Sequence, residues 1–254
     1  MIKLGWIERH SDPVEQLRSV LQFYGISAPD QMEIVAASFR KSPAFEANPI
    51  AITTWLRQGE REAQDIHCAS YDEAAFRALL VRIRGLTQEP VDIFRPQLVA
   101  WCAAVGVAVV FVPELPRTHV SGATRWLSPT KALIQLSVRY KTDDHLWFTF
   151  FHEAGHIVLH GKRDTFLESN QHSDDQEKED EANRFATDML IAPVDWESFV
   201  ASGSYKSHSG ISAFAHRIGI APGIVVGRLQ HHAKLLPVTD CNRLKRRFAW
   251  IDTA

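Results

Sequence analysis

Apolar residues recur every three or four positions through most of the first 91 residues, and this rhythm is typical of amphipathic helices. It predicts helices in three stretches, residues 12–26, 48–66 and 72–86. Asp12 and Pro13 suit the start of the first helix, and Gly25 suits its end. Since no candidate chemistry converges here, the predicted role of this helical N-terminal region, residues 1–91, is packing or partner contact.

The pattern changes at about residue 92, where helical stretches begin to alternate with short strands. Strands are predicted at 107–112 and on both sides of a Ser128–Pro129 turn, and helices at 94–106, 143–161, 177–190, 211–218 and 222–235. Asp143 or Asp144 is the predicted cap of the helix over 143–161, and Gly161 its end. We assign residues 92–254 to a second domain.

The composition is ordinary for a globular protein, with 45% hydrophobic and 23% charged residues among 254. The net charge of −2 gives no reason to expect a binder of nucleic acids or membrane surfaces. Cys68, Cys102 and Cys241 lack paired spacing and indicate reduced thiols. Because the N-terminus has no apolar signal region and residues 101–112 are too short to span a bilayer, we predict a soluble, cytoplasmic protein.

The stretch TFFHEAGHIVLHG, residues 149–161, carries a chemical signal. His152 and His156 are four positions apart, so one helical turn brings both imidazoles to the same face. Two such rings can bind one Zn²⁺, and Glu153 beside them can act as the general base for a water that attacks a carbonyl. The alternative is a core helix whose polar side chains are satisfied by hydrogen bonds.

Three features favour a metal site over a core helix. The flanking residues are strongly apolar, and ionisable groups in so dry a setting need a strong partner. Gly155 lies inside the helix, where it costs about 1 kcal/mol relative to Ala, and it allows another backbone to approach closely. The next helix also offers a third ligand, and catalytic zinc commonly takes three protein ligands and a water.

The third ligand has several candidates: His160, Glu168, His172, Glu177, Glu179, Asp180 and Glu181. Glu179 is preferred, because it begins a helix on which Asn183, four positions further on, can hydrogen-bond a ligand histidine. Glu181 points about 200° round that helix from Glu179, so both cannot serve. His160 is expected to pack or to hydrogen-bond at the end of the histidine helix. The predicted site comprises the zinc ligands His152, His156 and Glu179 and the general base Glu153.

In two segments, FHEAGHIVLHG (151–161) and EKEDEANRFATDMLIAP (177–193), the chain resembles the ImmA/IrrE family of zinc metallopeptidases. That family has a His-Glu-x-x-His helix, followed by Glu-x-x-Ala-Asn-x-Phe-Ala and a Leu-x-x-Pro end. The matching residues of the second motif are Glu179, Ala182, Asn183, Phe185, Ala186, Leu190 and Pro193. The resemblance covers about residues 95–235, and the family's third zinc ligand corresponds to Glu179. It implies an α+β fold of the gluzincin type, with a small antiparallel sheet beside the active-site helix.

Residues 12–26, 39–60 and 218–232 resemble one branch of this family more closely. In that branch a HigA-like, Cro-type helix-turn-helix precedes the peptidase on the same chain. Since no such segment stands in front of Met1, we expect no direct operator binding. The resemblance implies a zinc-dependent endopeptidase whose protein substrate is a cytoplasmic helix-turn-helix repressor of the Cro type. It would act in a stress-response, toxin–antitoxin or mobile-element circuit.

Substrate handling is predicted in outline. The strand KALIQLS, residues 131–137, is expected beside the cleft, either as an exposed edge that pairs with an extended substrate or as an internal strand. The candidate donors to the oxyanion are Arg125, Tyr140, Arg228, His231 and His232. The acidic stretch 168–181 is a candidate lid.

Two other functions compete with the peptidase hypothesis. One is a regulatory or antitoxin-like binding module whose zinc site is structural or vestigial. The intact Glu153 argues against it, because a structural site needs no general base. The other is DNA binding through residues 211–235, which resemble a helix-turn-helix around Gly219 but carry few basic residues. The basic tail, residues 243–247, is interpreted as solvated surface.

Overall fold

A computed structural model describes residues 1–31, 48–116, 118–161 and 172–250. Within these ranges the α-helices are α1 (Pro13–Tyr24), α2 (Pro49–Gln64), α3 (Glu73–Gly85), α4 (Val91–Ala103), α5 (Asp143–Leu159), α6 (His172–Leu190), α7 (Pro193–Ser202), α8 (His208–Ile218) and α9 (Pro222–His231). Short 3-10 turns span Ile2–Leu4, Pro29–Gln31, Leu86–Gln88, Ser204–Lys206 and Asp240–Leu244. Residues 39–47 of the branch resemblance and residues 168–171 of the candidate lid lie outside the described residues.

The three strands found among the described residues form one small sheet, which confirms the α+β class. They are β1 (Val107–Phe111), β2 (Gly122–Ser128) and β3 (Lys131–Leu136), in the order β1–β3–β2. The hairpin β2–β3 is antiparallel because a two-residue turn joins its strands, whereas β1 runs parallel to β3. The sheet is therefore mixed, whereas the family resemblance implied an antiparallel one. The chain leaves β1 and enters β2 on the far side of the position that β3 later occupies.

Helix α2 covers one face of this sheet. Its Trp55 side chain is fully buried, donates from Nε1 to the Val112 carbonyl over 3.0 Å, and accepts at its own carbonyl from Gln135 Nε2 over 2.7 Å. Lys131 Nζ reaches the carbonyl of Ala63, at the end of α2, over 2.6 Å. The helical N-terminal region thus supplies a layer of the fold, as the predicted packing role requires.

The opposite face packs against α5, and helices α3, α4 and α6 to α9 contribute to the same core. Phe76 of α3, Trp126 of β2, Phe150 and Phe151 of α5 and Val225 of α9 belong to one buried cluster. Residues before and after position 91 share this core, and the predicted division of the chain at residue 91 stays a prediction. Alternation along β2 explains the two faces, since Gly122, Thr124 and Trp126 point towards α5 while Arg125 meets Glu60 of α2.

The helix-start predictions have mixed outcomes. Asp12 accepts a hydrogen bond from the Val14 amide, and Gly25 ends α1 with a φ of 69°, as expected. The capping prediction for Asp143 and Asp144 is wrong. Thr142 is the cap position of α5, without a side-chain cap bond, and both aspartates are buried in the first turn. Their carboxylates face helix α9, and Asp143 Oδ1 in addition accepts a hydrogen bond from the Asp144 amide over 3.0 Å.

Helices α8 and α9 meet at a bend of 113° and correspond to the segment that resembles a helix-turn-helix. Gly219 adopts the left-handed conformation at the end of α8. Five of the ten residues of α9 are buried, among them Ile224, Val226 and Leu229. Among the described helices, none is by itself long and apolar enough to cross a membrane, and this bent pair meets that criterion only when taken together.

Candidate metal centre

Helix α5 presents its two motif histidines on one open face. Buried side chains such as Phe150, Phe151 and Ile157 anchor the helix in the core, and the helical period then places His152 and His156 one turn apart on the side that is only partly covered. Their side chains keep 15% and 21% of their surface exposed, respectively. Both rings are therefore held by a rigid element and still accessible.

Glu179 of α6 completes a convergent group of donors. Its Oε2 lies 3.3 Å from His152 Nε2, and its Oε1 lies 3.5 Å from His156 Nε2. The two Nε2 atoms are 3.1 Å apart. One ligand atom from each of these three residues lies within 4.8 Å of the other two, so the group can hold a metal ion.

Gly155 allows α6 to approach α5 closely. A Cβ atom at this position would lie 3.3 Å from the Ala182 Cα and 3.1 Å from the Phe185 ring. A larger residue would push away the helix that carries Glu179. The interpretation of Gly155 as a point of close backbone approach therefore agrees with the geometry.

The Nδ1 atoms of the two histidines also have partners. His152 Nδ1 lies 3.0 Å from Asn183 Oδ1, the hydrogen bond expected from the sequence. His156 Nδ1 lies 3.0 Å from His160 Nδ1, and Glu181 contacts the other ring nitrogen of His160 over 3.1 Å. Glu179 and Glu181 thus diverge as the helical period requires, with Glu179 towards the group of donors and Glu181 towards His160.

Glu153 is buried beside this group of donors, against strand β2. Its residue is only 6% exposed. Burial raises the pKa of its carboxyl group, while the neighbouring His152 and His156 and a contact with Thr124 lower it. Thr124 Oγ1 also donates to the Glu153 carbonyl over 3.2 Å. A carboxylate with a raised pKa, next to a group of donors that can hold a metal ion, is suited to accept and release a proton.

Gly122 lies against Glu153 and was not among the sequence candidates. A Cβ atom at position 122 would lie 2.7 Å from Glu153 Oε1 and 2.5 Å from Thr149 Cγ2. Only glycine leaves room for the carboxylate there. The sequence signal that could have indicated it is a glycine within a predicted strand, which often marks close backbone approach. Thr124 carried no comparable signal.

The charges around Glu179 offset one another. Hydrogen bonds from His152 and His156 hold the pKa of Glu179 well below its usual range, although its partial burial opposes this. Burial by itself lowers the pKa of His152, but Glu179, Glu153 and Asn183 together raise it above the ordinary value. The group therefore favours an anionic carboxylate between two imidazoles.

The sequence candidates for oxyanion donors lie in different places. Arg125 forms an ion pair with Glu60 on the far face of the sheet, and Arg228 donates to the Ile191 carbonyl over 2.6 Å beneath the ring of Trp196. His232 packs on Trp196, and His231 packs on His232. Tyr140 stacks on His145, with ring centroids 4.2 Å apart. His145 lies on the same side of α5 as His152, two turns earlier, so Tyr140 borders the open face.

Strand β3 lies inside the sheet, so of its two alternatives the internal strand is confirmed and the exposed edge is wrong. It pairs with β1 on one side and β2 on the other, and its last five residues are buried. Its edge neighbour β2 borders Glu153 instead. Residues 172–181 of the candidate lid belong to α6, the helix that carries Glu179, so this part of the stretch is helical.

Comparison with known proteins supplies one match. A family model described as the IrrE N-terminal-like domain, of the peptidase M78 type, matches residues 102–230. The matched range contains the whole sheet, α5, α6 and all of the group His152, His156 and Glu179. No curated protein and no solved structure matches the chain.

Proposed function

The chain belongs to the family of IrrE N-terminal-like domains, a peptidase family, and on this premise we propose that it is a zinc-dependent endopeptidase. The observation that supports the proposal is the convergence of His152, His156 and Glu179, with Glu153 buried beside them. Two imidazole nitrogens and one carboxylate oxygen are a donor set that catalytic zinc sites use, with a further position left for water. The residues present therefore fit zinc.

Each residue of the centre has a separate task in this mechanism. Bound zinc would supply a Lewis acid that acidifies water and polarises the scissile carbonyl. Glu153 accepts a proton from the attacking water at its carboxylate and delivers it to the nitrogen of the leaving amine. Asn183 orients His152 through the hydrogen bond at Nδ1. Gly122 and Thr124 hold Glu153 at the edge of the sheet.

The substrate is proposed to bind as an extended segment along β2. This strand has a neighbour on one side only among the described strands, and its first residues lie against Glu153. An added strand would gain main-chain hydrogen bonds with modest dependence on side chains. The peptide would then pass over the open face of α5, between Tyr140 and His156.

The proposed substrate is a cytoplasmic repressor of the Cro type, in a stress-response, toxin–antitoxin or mobile-element circuit. Support for this finer proposal is the sequence resemblance to the ImmA/IrrE family. We do not propose that the chain binds DNA directly, because α9, the second helix of the segment that resembles a helix-turn-helix, is largely buried. A helix that reads a DNA groove must expose its side chains.

The experiment that tests the function combines zinc content with cleavage. We expect about one zinc per chain by elemental analysis and cleavage of a Cro-type repressor by the wild-type protein. Glu153→Gln should retain zinc and lose about 100- to 10,000-fold in cleavage rate, since it removes the general base. Glu197→Gln, the same change at an exposed position of α7, is the matched control and should behave as wild type.

Two outcomes would contradict the proposal. Carefully purified wild-type protein without zinc would indicate that the histidine helix no longer binds metal. Full biological activity in Glu153→Gln with zinc retained would favour the regulatory or antitoxin-like binding module over the peptidase.

A further inference from the structure

His160 lies one helical turn beyond His156 and outside the group that can hold a metal. A side-chain contact with His156 nevertheless links His160 to that group. His156 turns its Nε2 towards Glu179 and its Nδ1 towards His160, 3.0 Å away. His160 in turn presents Nε2 to Glu181 Oε2 over 3.1 Å, and its side chain is only 8% exposed. The side chains of His156, His160 and Glu181 thus form a continuous hydrogen-bonded chain.

The direction of the hydrogen bonds follows from the chemistry of imidazole. A histidine that binds metal through Nε2 must carry its hydrogen on Nδ1, where it can only donate. His160 Nδ1 must then accept from His156, which leaves the hydrogen of His160 on Nε2. Ionised Glu181 has acceptors only and receives that hydrogen. Every ring nitrogen in the chain has a compatible partner in this single arrangement.

We propose that His160, supported by Glu181, is a positioning residue that fixes the tautomer and ring orientation of His156 for metal binding. It does for His156 what Asn183 Oδ1 does for His152. The inference rests on the proposed zinc function. The helix α6 therefore contributes a metal donor, Glu179, and also one support for each histidine, through Asn183 directly and through Glu181 by way of His160.

The test measures zinc affinity by competition with a chromophoric chelator in the full-length protein. His160→Phe keeps a ring but removes the acceptor, and we expect about 10- to 100-fold weaker zinc binding, the range typical of partners that orient metal ligands. His160→Asn places an amide oxygen near the position of Nδ1 and should restore most of the affinity. Glu181→Leu should weaken binding less than His160→Phe does.

Controls separate positioning from a loss of structure. His208→Phe makes the same change at a histidine that pairs with Asp240 and should leave zinc affinity unchanged. Without metal, the thermal midpoint of His160→Phe should match that of His208→Phe, and only its rise on adding zinc should be smaller. The visible absorption bands of bound Co²⁺ should also shift in His160→Phe and return in His160→Asn.

The outcomes distinguish this inference from the proposed function. Wild-type affinity and an unchanged Co²⁺ spectrum in His160→Phe would overturn the positioning role alone. A lower midpoint of the metal-free variant with unchanged zinc affinity would do the same, because His160 would then be structural. Wild-type protein that binds no zinc would overturn the proposed function and the inference with it.

Discussion

The two ends of helix α5 both place adjacent ionisable side chains on an apolar helix, but they use them differently. At the C-terminal end, His152, His156 and the partner Glu179 converge on a partly open face. At the N-terminal end, Asp143 and Asp144 are 1% and 6% exposed, and they pack against a neighbouring helix. At the histidine end the donors converge on a common point, whereas at the aspartate end the carboxylates are buried inside the fold.

The aspartate end depends on glycines and on one cation. A Cβ atom at Gly223 of α9 would lie 2.3 Å from Asp143 Oδ1, and one at Gly227 would lie 2.7 Å from Asp144 Oδ2. Lys245 Nζ contacts Asp144 Oδ2 over 2.6 Å. The lysine thus pairs with Asp144 only, and Asp143 Oδ2 has no hydrogen-bond partner among the described residues.

The difference teaches how to distinguish a ligand site from a structural cluster on one helix. At the histidine end, each ring has a partner at Nδ1, while the Nε2 atoms and a carboxylate face each other and can share one cation. At the aspartate end, the two glycines bring α9 directly against the carboxylates, which are buried. Convergence of donors on an open face, and not the number of ionisable residues, marks the candidate metal centre.

The largest expected effect comes from breaking the convergence itself. Glu179→Ala removes one of three donors, and we expect zinc affinity to fall on the order of a thousandfold, about a third of a typical zinc binding free energy. Glu181→Ala, two positions away, should retain about one zinc per chain, because Glu181 contacts His160 and not the group of donors. Elemental analysis after dialysis measures both. Equal losses in the two variants would contradict the assignment of Glu179.

The next effect concerns the cation at the aspartate end. Lys245→Met leaves the buried Asp144 carboxylate without its ionic partner, and we expect a loss of about 3 kcal/mol in the free energy of unfolding. Urea unfolding at neutral pH measures it. Lys234→Met changes an exposed lysine and should shift stability little. An unchanged unfolding midpoint in Lys245→Met would mean that the ion pair does not stabilise the end of α5.

A smaller effect is expected where strand β2 meets Glu153, the proposed general base. Gly122→Ala introduces a Cβ atom against Glu153, and displacement of a catalytic group by about 1 Å costs roughly 100-fold in rate. We therefore expect about 10- to 100-fold slower cleavage with zinc content retained. Gly85→Ala, at a position with open space around it, is the matched control. Full activity in Gly122→Ala would show that Glu153 tolerates displacement.

The sequence could predict the histidine end because its information is local. The spacing of His152 and His156 and the period from Glu179 to Asn183 are properties of single helices. Gly122 and Thr124 were missed because they reach Glu153 across about 30 positions of the chain, and no local pattern encodes that contact.

The wrong capping prediction and the two alternatives left open for β3 have the same origin. Aspartates before a helix have the same pattern whether they cap it or face another helix, so the pattern alone could not reveal that Asp143 and Asp144 contact α9. The hydrophobic run of β3 likewise fits an edge or an internal strand until its partners are known. Tertiary pairing decided both cases.

The smallest expected effect is a pH dependence at the aspartate end. Burial raises the pKa of Asp143 to about 6, which Asp144 reinforces and Arg246 opposes; Lys245 and His145 are the other charged or titratable groups around this turn. The unfolded chain has a pKa of about 3.9 at this group. The folded protein therefore retains the proton longer, so the contribution to stability is fully present below about pH 4 and is lost as the pH rises through about 6.

Asp143→Asn removes this titration and gives the corresponding test. The free energy of unfolding of the variant minus that of the wild type should rise between about pH 4 and pH 7, by on the order of 2 kcal/mol. Urea unfolding at intervals of one pH unit measures this difference. Titrations that are common to both proteins, including those at the metal centre, cancel in it. Asp195→Asn, at a half-buried aspartate paired with Arg217, should not show a rise in this direction, because an aspartate paired with a cation gains stability as it ionises. A difference that stays flat for Asp143→Asn would mean that this carboxylate is ionised in the fold, and the contrast between the two ends of α5 would then rest on geometry alone.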